Sequence, residues 1–207
     1  MAKKTRDRII ETAISLFNER GYGNVTTAIL AKELGISEGN LWYHFNEKRA
    51  LLSAITLLFI TRNDERRLIK PAGGDILQEF SEFLKFLANE IRDFRFLWRD
   101  KADYGIQTDE LLEKIPGSYR DTIDQYRAFF REMRDQKFLK IDDKALEPMI
   151  INIVVVTRYY LEFARESGIS TDNELGPIRQ SLLQLVWMLE SHMTEEATSY
   201  LRQHIIE

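Results

Sequence analysis

The chain has 207 residues, a formal net charge of −4, 44% hydrophobic and 30% charged residues, and no cysteine. This balance is typical of a folded globular protein, and the absence of cysteine excludes disulfides, thiolate zinc sites and a thiol nucleophile. Ten glycines and four prolines are few for a turn-rich β fold, which favours helices.

No segment of the sequence predicts export or membrane insertion. The charged N-terminus is not followed by the apolar run of a signal peptide. The most apolar stretch, Met149–Val156, contains Asn152 and is far shorter than the ~20 residues that a membrane-spanning helix needs. We therefore expect a cytoplasmic protein that does not use a membrane.

Charge is unevenly distributed along the chain. Residues 1–50 hold eight Lys and Arg residues and six Asp and Glu residues, so this segment carries +2 and the remaining 157 residues carry −6. A basic N-terminal segment on an acidic body is typical of a small module that faces a polyanion.

Apolar spacing predicts two helices near the N-terminus. Apolar residues recur every three or four positions over Ile9–Phe17, and Gly21 is suited to end this helix. Thr26 is a natural N-cap for a second helix, which Gly35 ends.

A third, short helix is expected to begin after Ser37, and a fourth is expected to begin after Asn46. Residues 5–45 therefore predict a helix, a turn and two short helices joined by a tight glycine turn, which is the arrangement of a helix-turn-helix. The segment Lys70–Gly74 contains Pro and Gly and separates the fourth helix from a fifth over Asp75–Phe94.

The rest of the chain also predicts helices. The predicted helices cover Ile106–Lys114, closed by a Pro-Gly pair, Tyr119–Gln136, Leu146–Ser167 and Pro177–His204, and a shorter segment over Phe96–Tyr104 is dense in aromatic residues. The segment Leu146–Ser167 has the β-branched composition of a strand, but its length of 22 residues favours a helix. We therefore predict an all-α fold, with a helix-turn-helix domain at residues 1–50 and a larger helical domain at residues 51–207.

The second helix of a helix-turn-helix lies in the major groove of DNA, where side chains near its start reach base edges. In this sequence Leu41 and Phe45 are expected to anchor that helix inward and to leave its polar and aromatic side chains exposed. Hydroxyl and amine donors suited to phosphates lie beside it, and a basic arm precedes it. The candidate DNA-contacting residues are Lys4, Thr27, Ser37, Asn40, Trp42, Tyr43, His44 and Lys48.

Residue by residue, a purely structural explanation stays open, because Trp42 and Tyr43 also suit the core of a small bundle. Taken together, the pattern resembles the tetracycline-repressor (TetR) family of bacterial transcriptional regulators. The resemblance covers about residues 6–52. It rests on the turn Gly35-Ile36-Ser37, on the run Leu41-Trp42-Tyr43-His44-Phe45 with Lys48 after it, and on Phe17-Asn18-Glu19-Arg20-Gly21-Tyr22.

The resemblance implies roles for these side chains. Thr27, Tyr43 and Lys48 would contact phosphates, and the other exposed side chains of the third helix would lie in or beside the groove. It also implies an operator-binding homodimer, in which the last two long helices of each subunit form a four-helix interface.

The sequence supports a dimer independently. Leu146–Ser167 is apolar on two faces, and the last helix carries one apolar stripe that includes Leu182 and a second formed by Leu183 and Trp187. A spare apolar face of this length is typical of an interface, although a thicker monomeric core is the alternative. The predicted interface residues are Val155, Leu182, Val186, Leu189 and Met193.

Aromatic segments in the larger domain are suited to line a pocket for a largely apolar ligand with one polar end. For each side chain, simple filling of the core is the alternative. The predicted pocket residues are Phe94, Trp98, Arg99, Tyr104, Tyr126, Phe130, Arg158 and Tyr159.

These observations favour a DNA-binding regulator, most simply a repressor that a small effector releases from a palindromic operator. An activator of the same fold and an all-α ligand-binding protein without DNA affinity stay open. An all-α enzyme is disfavoured, because the chain has three histidines, no cysteine and no glycine-rich phosphate loop. No metal or other cofactor is expected.

Overall fold

The computed structural model describes residues 5–104, 109–169 and 176–206. Within these ranges the regular elements are all helices, which confirms the all-α prediction. The α-helices are α1 (Thr5–Arg20), α2 (Thr27–Leu34), α3 (Glu38–His44), α4 (Lys48–Arg67), α5 (Ile76–Phe94), α6 (Phe96–Arg99), α7 (Asp109–Asp135), α8 (Asp143–Glu166), α9 (Gly176–Leu189) and α10 (Glu195–Ile206). Short 3₁₀ turns cover Lys101–Tyr104 and Glu190–His192. None of the helices in these ranges is both long and apolar enough to span a bilayer.

Local capping positions the two short helices of the helix-turn-helix. The hydroxyl oxygen of Thr26 accepts the N–H of Ile29, and that of Ser37 accepts the N–H of Asn40, both at 3.2 Å. Gly35 ends α2 with φ +65°, a backbone conformation that costs glycine nothing. Both predicted starts and the predicted stop are confirmed.

The prediction that Leu146–Ser167 is a helix is also confirmed. The carboxylate of Asp142 accepts the N–H of Ala145 at 2.8 Å and caps the start of α8. The N–H of Ser167 bonds to carbonyls of the last turn and ends the helix.

The predicted break at the Pro-Gly pair is wrong, because Pro116 lies inside the continuous helix α7. A proline removes one N–H donor and strains the preceding turn, but a long helix can tolerate one such loss. Positions 106–108 of the predicted helix Ile106–Lys114 lie outside the described residues.

The last predicted helix is in fact two helices, α9 and α10. The chain is extended at Met193, with ψ 159°, and forms an antiparallel bridge to Leu139 there. The Thr194 hydroxyl oxygen then accepts the N–H of Ala197 at 3.2 Å and starts α10. A tertiary contact with a distant segment therefore accompanies a break that local apolar spacing does not show.

The chain forms two compact units. Unit 1 comprises Met1–Asn63 and Asp93–Pro116, and unit 2 comprises Asp64–Arg92 and Gly117–Glu207. The two domains predicted from the sequence, residues 1–50 and 51–207, are continuous segments, and this division stays a prediction. Each compact unit of the structure instead combines two separate segments of the chain.

Each unit has its own apolar core. In unit 1 the core includes apolar side chains from α1 to α4. Those that are at most 1% exposed include Ile9, Phe17, Leu30, Leu41 and Ile55. In unit 2, a cluster of buried rings joins α5 to α7, with ring centroids 5.1–6.2 Å apart, and its members are Phe80, Phe83, Tyr126, Phe129 and Phe130.

Candidate nucleic-acid interface

The third helix presents its polar and aromatic side chains to solvent. Leu41 and Phe45 are 1% and 5% exposed and anchor α3 inward, as predicted. Asn40 is exposed, Trp42 is 41% exposed and Tyr43 is 86% exposed. The core explanation of the two aromatic residues is therefore excluded, because neither side chain is buried within the unit.

Neighbouring groups orient the ends of this surface. The Thr27 hydroxyl, at the start of α2, donates to Glu38 Oε2 at 3.2 Å. The rings of Tyr43 and His44 meet edge to face with centroids 5.2 Å apart. The Ser37 hydroxyl oxygen is engaged as the α3 cap, so this side chain has a structural role whatever it contacts on DNA.

Lys48 is the first residue of α4, and its ammonium is held within unit 1. It donates to the carbonyl oxygen of Tyr22 and lies 3.9 Å from the centroid of the Tyr22 ring, a cation–π contact. Partial burial lowers the pKa of Lys48, and the nearby carboxylate of Asp103 partly offsets this effect. An ammonium has three donors, so this arrangement leaves donors for a phosphate.

The basic N-terminal arm is described only in part. Lys4, a predicted DNA contact, lies outside the described residues. Arg6 lies over the Phe45 ring, 5.0 Å from its centroid, and is therefore close to the end of α3.

Residues far along the chain bind the C-terminal end of α1. The guanidinium of Arg99 donates to the carbonyl oxygens of Phe17 at 2.6 Å and Asn18 at 2.9 Å. Asp100 Oδ2 accepts the N–H of Tyr22 at 2.8 Å and also bonds to Arg99 at 2.9 Å. We call Arg99 and Asp100 the α1 clasp.

Asn18 adds two further bonds of the same kind. Its amide nitrogen donates to the Asp93 carbonyl at 2.9 Å, and its amide oxygen accepts the Phe96 N–H at 3.1 Å. Sequence reasoning missed Asn18 and Asp100, because pairing across about 78 residues leaves no periodic signal.

The four predicted pocket residues of unit 1 lie in its interior. Phe94 and Trp98 pack edge to face on Phe59, with centroids 5.5 and 5.6 Å apart. Arg99 belongs to the α1 clasp, and the Tyr104 hydroxyl donates to the Phe96 carbonyl at 2.7 Å. Burial raises the pKa of Tyr104. These contacts are internal to the unit, and the pocket role of these residues stays a prediction.

The other four predicted pocket residues lie in unit 2. Tyr126 and Phe130 are fully buried in the ring cluster. Arg158 is 5% exposed and stacks over the Tyr119 ring, 4.7 Å from its centroid. Tyr159 is exposed, and its hydroxyl is hydrogen-bonded to that of Tyr119 at 2.8 Å. Their role in ligand binding also stays a prediction.

Unit 2 contains a buried polar cluster that no local sequence pattern indicates. Arg66 Nε lies 2.9 Å from Glu90 Oε2, and both side chains are fully buried. Arg66 also donates to the Gln125 amide oxygen, while the Gln125 amide nitrogen donates to the Arg66 and Ile69 carbonyls at 2.7 and 2.8 Å. Burial lowers the pKa of Arg158, on which Glu90 and Arg66 also act, so this guanidinium belongs to the same electrostatic environment.

Three predicted interface residues on α9 are buried within the single chain, and their role in dimerisation stays a prediction. Leu182, Val186 and Leu189 are at most 3% exposed within a single chain, so they offer almost no surface to a partner. They face the core because α9 packs on α8 along that stripe. Val155 is 51% exposed, whereas Met193 is partly buried against the core.

Large apolar side chains stay exposed on another face. On α8 they recur every four residues, and on α9 one residue of the second stripe is exposed to a similar degree. The set is Ile151, Val155, Tyr159, Phe163 and Trp187, each 41–61% exposed. We call this set the α8–α9 stripe. In the described part of the chain, no group of three His, Asp or Glu residues is arranged to hold a metal ion.

Comparison with known proteins identifies the family. A model described as a bacterial transcriptional repressor, TetR, matches residues 62–201, and a second, described as bacterial regulatory proteins of the tetR family, matches residues 9–55. The chain is 28% identical to the class D tetracycline repressor protein of Escherichia coli over an alignment of 195 positions, which covers 90% of this chain and 81% of that protein.

Solved structures show the same fold. A TetR-family transcriptional regulator from Marinobacter aquaeolei VT8 superposes with a TM-score of 0.79 at 20% identity, covering 98% of this chain and 99% of that one. The SmeT–triclosan complex gives a TM-score of 0.55 at 18% identity, with 94% of each chain covered. Because the repressor model alone covers more than half of the sequence, the chain belongs to the TetR family of bacterial transcriptional regulators.

Proposed function

We propose that the protein is a cytoplasmic, homodimeric repressor that binds a palindromic DNA operator and that a small molecule releases. The observation that carries the proposal is the exposed surface of α3. The buried side chains of Leu41 and Phe45 anchor this helix. Its opposite surface exposes Asn40, Trp42 and Tyr43 to solvent. Exposing two large aromatic side chains on a seven-residue helix is unfavourable unless a partner covers them.

Each side chain has a role that follows from its position. Asn40, in the first turn of α3, reads a base edge, because an amide can donate to and accept from an adenine. Tyr43 and Thr27 offer hydroxyls, and Lys48 offers an ammonium, to phosphates on either side of the groove. Two copies of α3 in a dimer would enter major grooves about 34 Å apart, which requires an inverted repeat.

The α8–α9 stripe supports the homodimer. Four of its side chains recur every four residues along α8, and Trp187 of α9 is also exposed. Arg202 lies over the Trp187 ring at 4.5 Å and leaves that side chain 61% exposed. A second copy of the same surface would bury this row by two-fold symmetry, as α-helical dimer interfaces do.

The buried polar cluster of unit 2 supports an effector with one polar end. Glu90 is 1% exposed, and its Oε1 atom has no hydrogen-bond partner among the described residues. An unsatisfied buried carboxylate oxygen is unfavourable, and a ligand hydroxyl or N–H would satisfy it. A cationic ligand is disfavoured, because the guanidiniums of Arg66 and Arg158 lie in the same environment.

Release would follow from thermodynamic coupling. An effector that binds better to the protein without DNA lowers the affinity for DNA by the ratio of its two affinities, and DNA lowers the effector's affinity by the same ratio. The degree of release is therefore set by differential binding and not by the affinity of the effector alone.

The test is selection of bound sequences from a random duplex library with the purified protein at moderate salt. Recovery of an inverted repeat supports the proposal, and the wild-type affinity must fall steeply with salt. Lys48→Ala should weaken binding to all duplexes alike, whereas Asn40→Ala should relax the choice of one base pair in each half-site. A folded dimer that recovers no sequence even at low salt would refute the proposal.

A further inference from the structure

The α1 clasp and Lys48 meet at one residue, Tyr22. Its N–H donates to Asp100 Oδ2 at 2.8 Å, and its carbonyl oxygen accepts a hydrogen bond from the Lys48 ammonium. Its ring packs edge to face on Tyr104 at 5.0 Å and carries the Lys48 ammonium on its face at 3.9 Å. All of these residues belong to unit 1.

We propose that Asp100 is a positioning residue for DNA binding: by holding the backbone of Tyr22, it fixes the carbonyl and the ring that place the Lys48 ammonium for a phosphate. This inference rests on the proposed DNA-binding function. It assigns a role in operator binding to a side chain far from α2 and α3 in the sequence, and one that touches no DNA.

The geometry gives Asp100 little freedom. It is 8% exposed, and Arg99 holds its carboxylate while donating to two carbonyls at the end of α1. The Asp100 carboxylate is therefore held by Arg99 while it accepts a charge-assisted hydrogen bond from the Tyr22 N–H. Because the N–H and the C=O of Tyr22 flank the same Cα atom, holding one restricts the other.

The loop after α1 is also closely surrounded. A Cβ atom at Gly23 would lie 2.9 Å from Asp103 Oδ2, so any larger residue there would require the Asp103 side chain to shift. The same Asp103 carboxylate acts favourably on the Lys48 ammonium. Asp100 and Tyr104 thus contact Tyr22, and Asp103 acts on Lys48 through its charge.

A lysine that is already ordered binds a phosphate at lower entropic cost. A free lysine side chain loses rotamer freedom when it forms an ion pair. In this protein the Lys48 side chain is already ordered without DNA, because the Tyr22 carbonyl and ring hold its ammonium. Much of the entropy is therefore lost on folding and not on binding DNA. Without the clasp, the Lys48 side chain would lose this rotamer freedom only on binding DNA, which would weaken binding.

The first test compares operator affinity among variants with the same change of charge. Asp100→Ala loses the acceptor for Tyr22, whereas Asp100→Asn keeps an oxygen that can accept that N–H. Removing a carboxylate favours DNA binding by electrostatics alone, so any loss in Asp100→Ala opposes the charge effect. Glu33→Gln, at an exposed position of α2, measures the charge effect by itself.

We expect Asp100→Ala to bind the selected operator about five- to tenfold more weakly and to lower the salt slope by about one per protomer, as Lys48→Ala does. Asp100→Asn should stay within about twofold of the wild type, and Glu33→Gln should bind at least as tightly as the wild type. The double variant Lys48→Ala/Asp100→Ala should bind no more weakly than Lys48→Ala. Equal affinities for Asp100→Ala and Asp100→Asn, or losses that multiply in the double variant, would overturn the proposal.

A second test needs no DNA, so it separates failure of this inference from failure of the proposed function. In protein labelled with ¹⁵N-lysine, the hydrogen-bonded ammonium of Lys48 should give a slowly exchanging signal that Lys48→Ala removes. The signal should persist in Asp100→Asn and be lost in Asp100→Ala, while circular dichroism shows that both variants stay helical. Persistence of the signal in a folded Asp100→Ala protein would refute the positioning role even if no operator is found.

Discussion

Arg66 and Glu90 form an ion pair at 2.9 Å, with both side chains fully buried in unit 2. Removing one partner of such a pair leaves a charge in a medium that solvates it poorly, which costs about 3–5 kcal/mol. We therefore expect Glu90→Leu to lower the free energy of unfolding by about that amount. Urea unfolding at a fixed protein concentration measures it, because the stability of the proposed dimer would depend on concentration.

The matched variant is the double substitution Arg66→Met/Glu90→Leu. It removes both charges and fills the same space with apolar side chains. Replacing a buried pair by apolar residues is often neutral, so the double variant should recover most of the loss. A double variant that is as unstable as Glu90→Leu would show that the hydrogen bond from the Arg66 guanidinium to the Gln125 amide oxygen, and not the charge pair, holds this region together.

Ser37 caps α3 through its hydroxyl oxygen, which accepts the N–H of Asn40 at 3.2 Å. Ser37→Ala removes this acceptor and should cost about 1 kcal/mol of stability, whereas Ser37→Asn keeps a capping oxygen and should cost little. Thermal unfolding gives the stability, and hydrogen exchange at the Asn40 amide locates the effect. An unchanged exchange rate at Asn40 in Ser37→Ala would mean that the cap does not stabilise α3.

The sequence predicts the helix-turn-helix because its signals are local. A capping hydroxyl lies within three residues of the N–H that it accepts, and Gly35 needs no distant partner to adopt φ +65°. The sequence alone could not decide whether Trp42 and Tyr43 were core residues. That depends on which face of α3 packs inward, and the burial of Leu41 and Phe45 determines it.

The sequence could not predict features that depend on distant contacts. The break between α9 and α10 coincides with the bridge from Met193 to Leu139, and the α1 clasp joins residues 78 positions apart. Apolar spacing in the sequence shows that α9 carries two apolar stripes. Which of them faces the core depends on the packing of α9 on α8, and apolar spacing alone does not show that Leu182 is buried within the single chain.

The α8–α9 stripe gives a direct test of the homodimer. Phe163 is 59% exposed, and Phe163→Glu would place a charge in the proposed interface, where it is strongly unfavourable. We expect light scattering after size-exclusion chromatography to change from a dimer to a monomer at micromolar concentration. Leu68→Glu, at an apolar side chain that is 80% exposed in the same unit but outside the stripe, is the matched control and should stay dimeric. Two dimeric variants would place the interface elsewhere.

The pair of Arg127 and Glu147 predicts how stability depends on pH. Arg127 bonds to both carboxylate oxygens of Glu147, at 2.6 and 2.8 Å, and these bonds hold the pKa of Glu147 below its ordinary value of 4.5. Because the folded state favours the charged carboxylate, the pair contributes stability above about pH 4.5, and this contribution is lost as the pH falls through the lower, folded-state pKa. Asp143, whose pKa a hydrogen bond from Arg134 lowers, acts in the same direction.

We expect Glu147→Gln to lower the Tm near neutral pH by about 0.5–4 °C, because exposed pairs contribute about 0.2–1 kcal/mol. The difference from the wild type should shrink as the pH falls below about 4.5 and vanish where the wild-type carboxylate is protonated. Thermal melts from about pH 3 to about pH 7 measure it, with Glu195→Gln on an exposed carboxylate of α10 as the control. A Tm difference that stays constant over this range would show that Glu147 acts through packing and not through its charge.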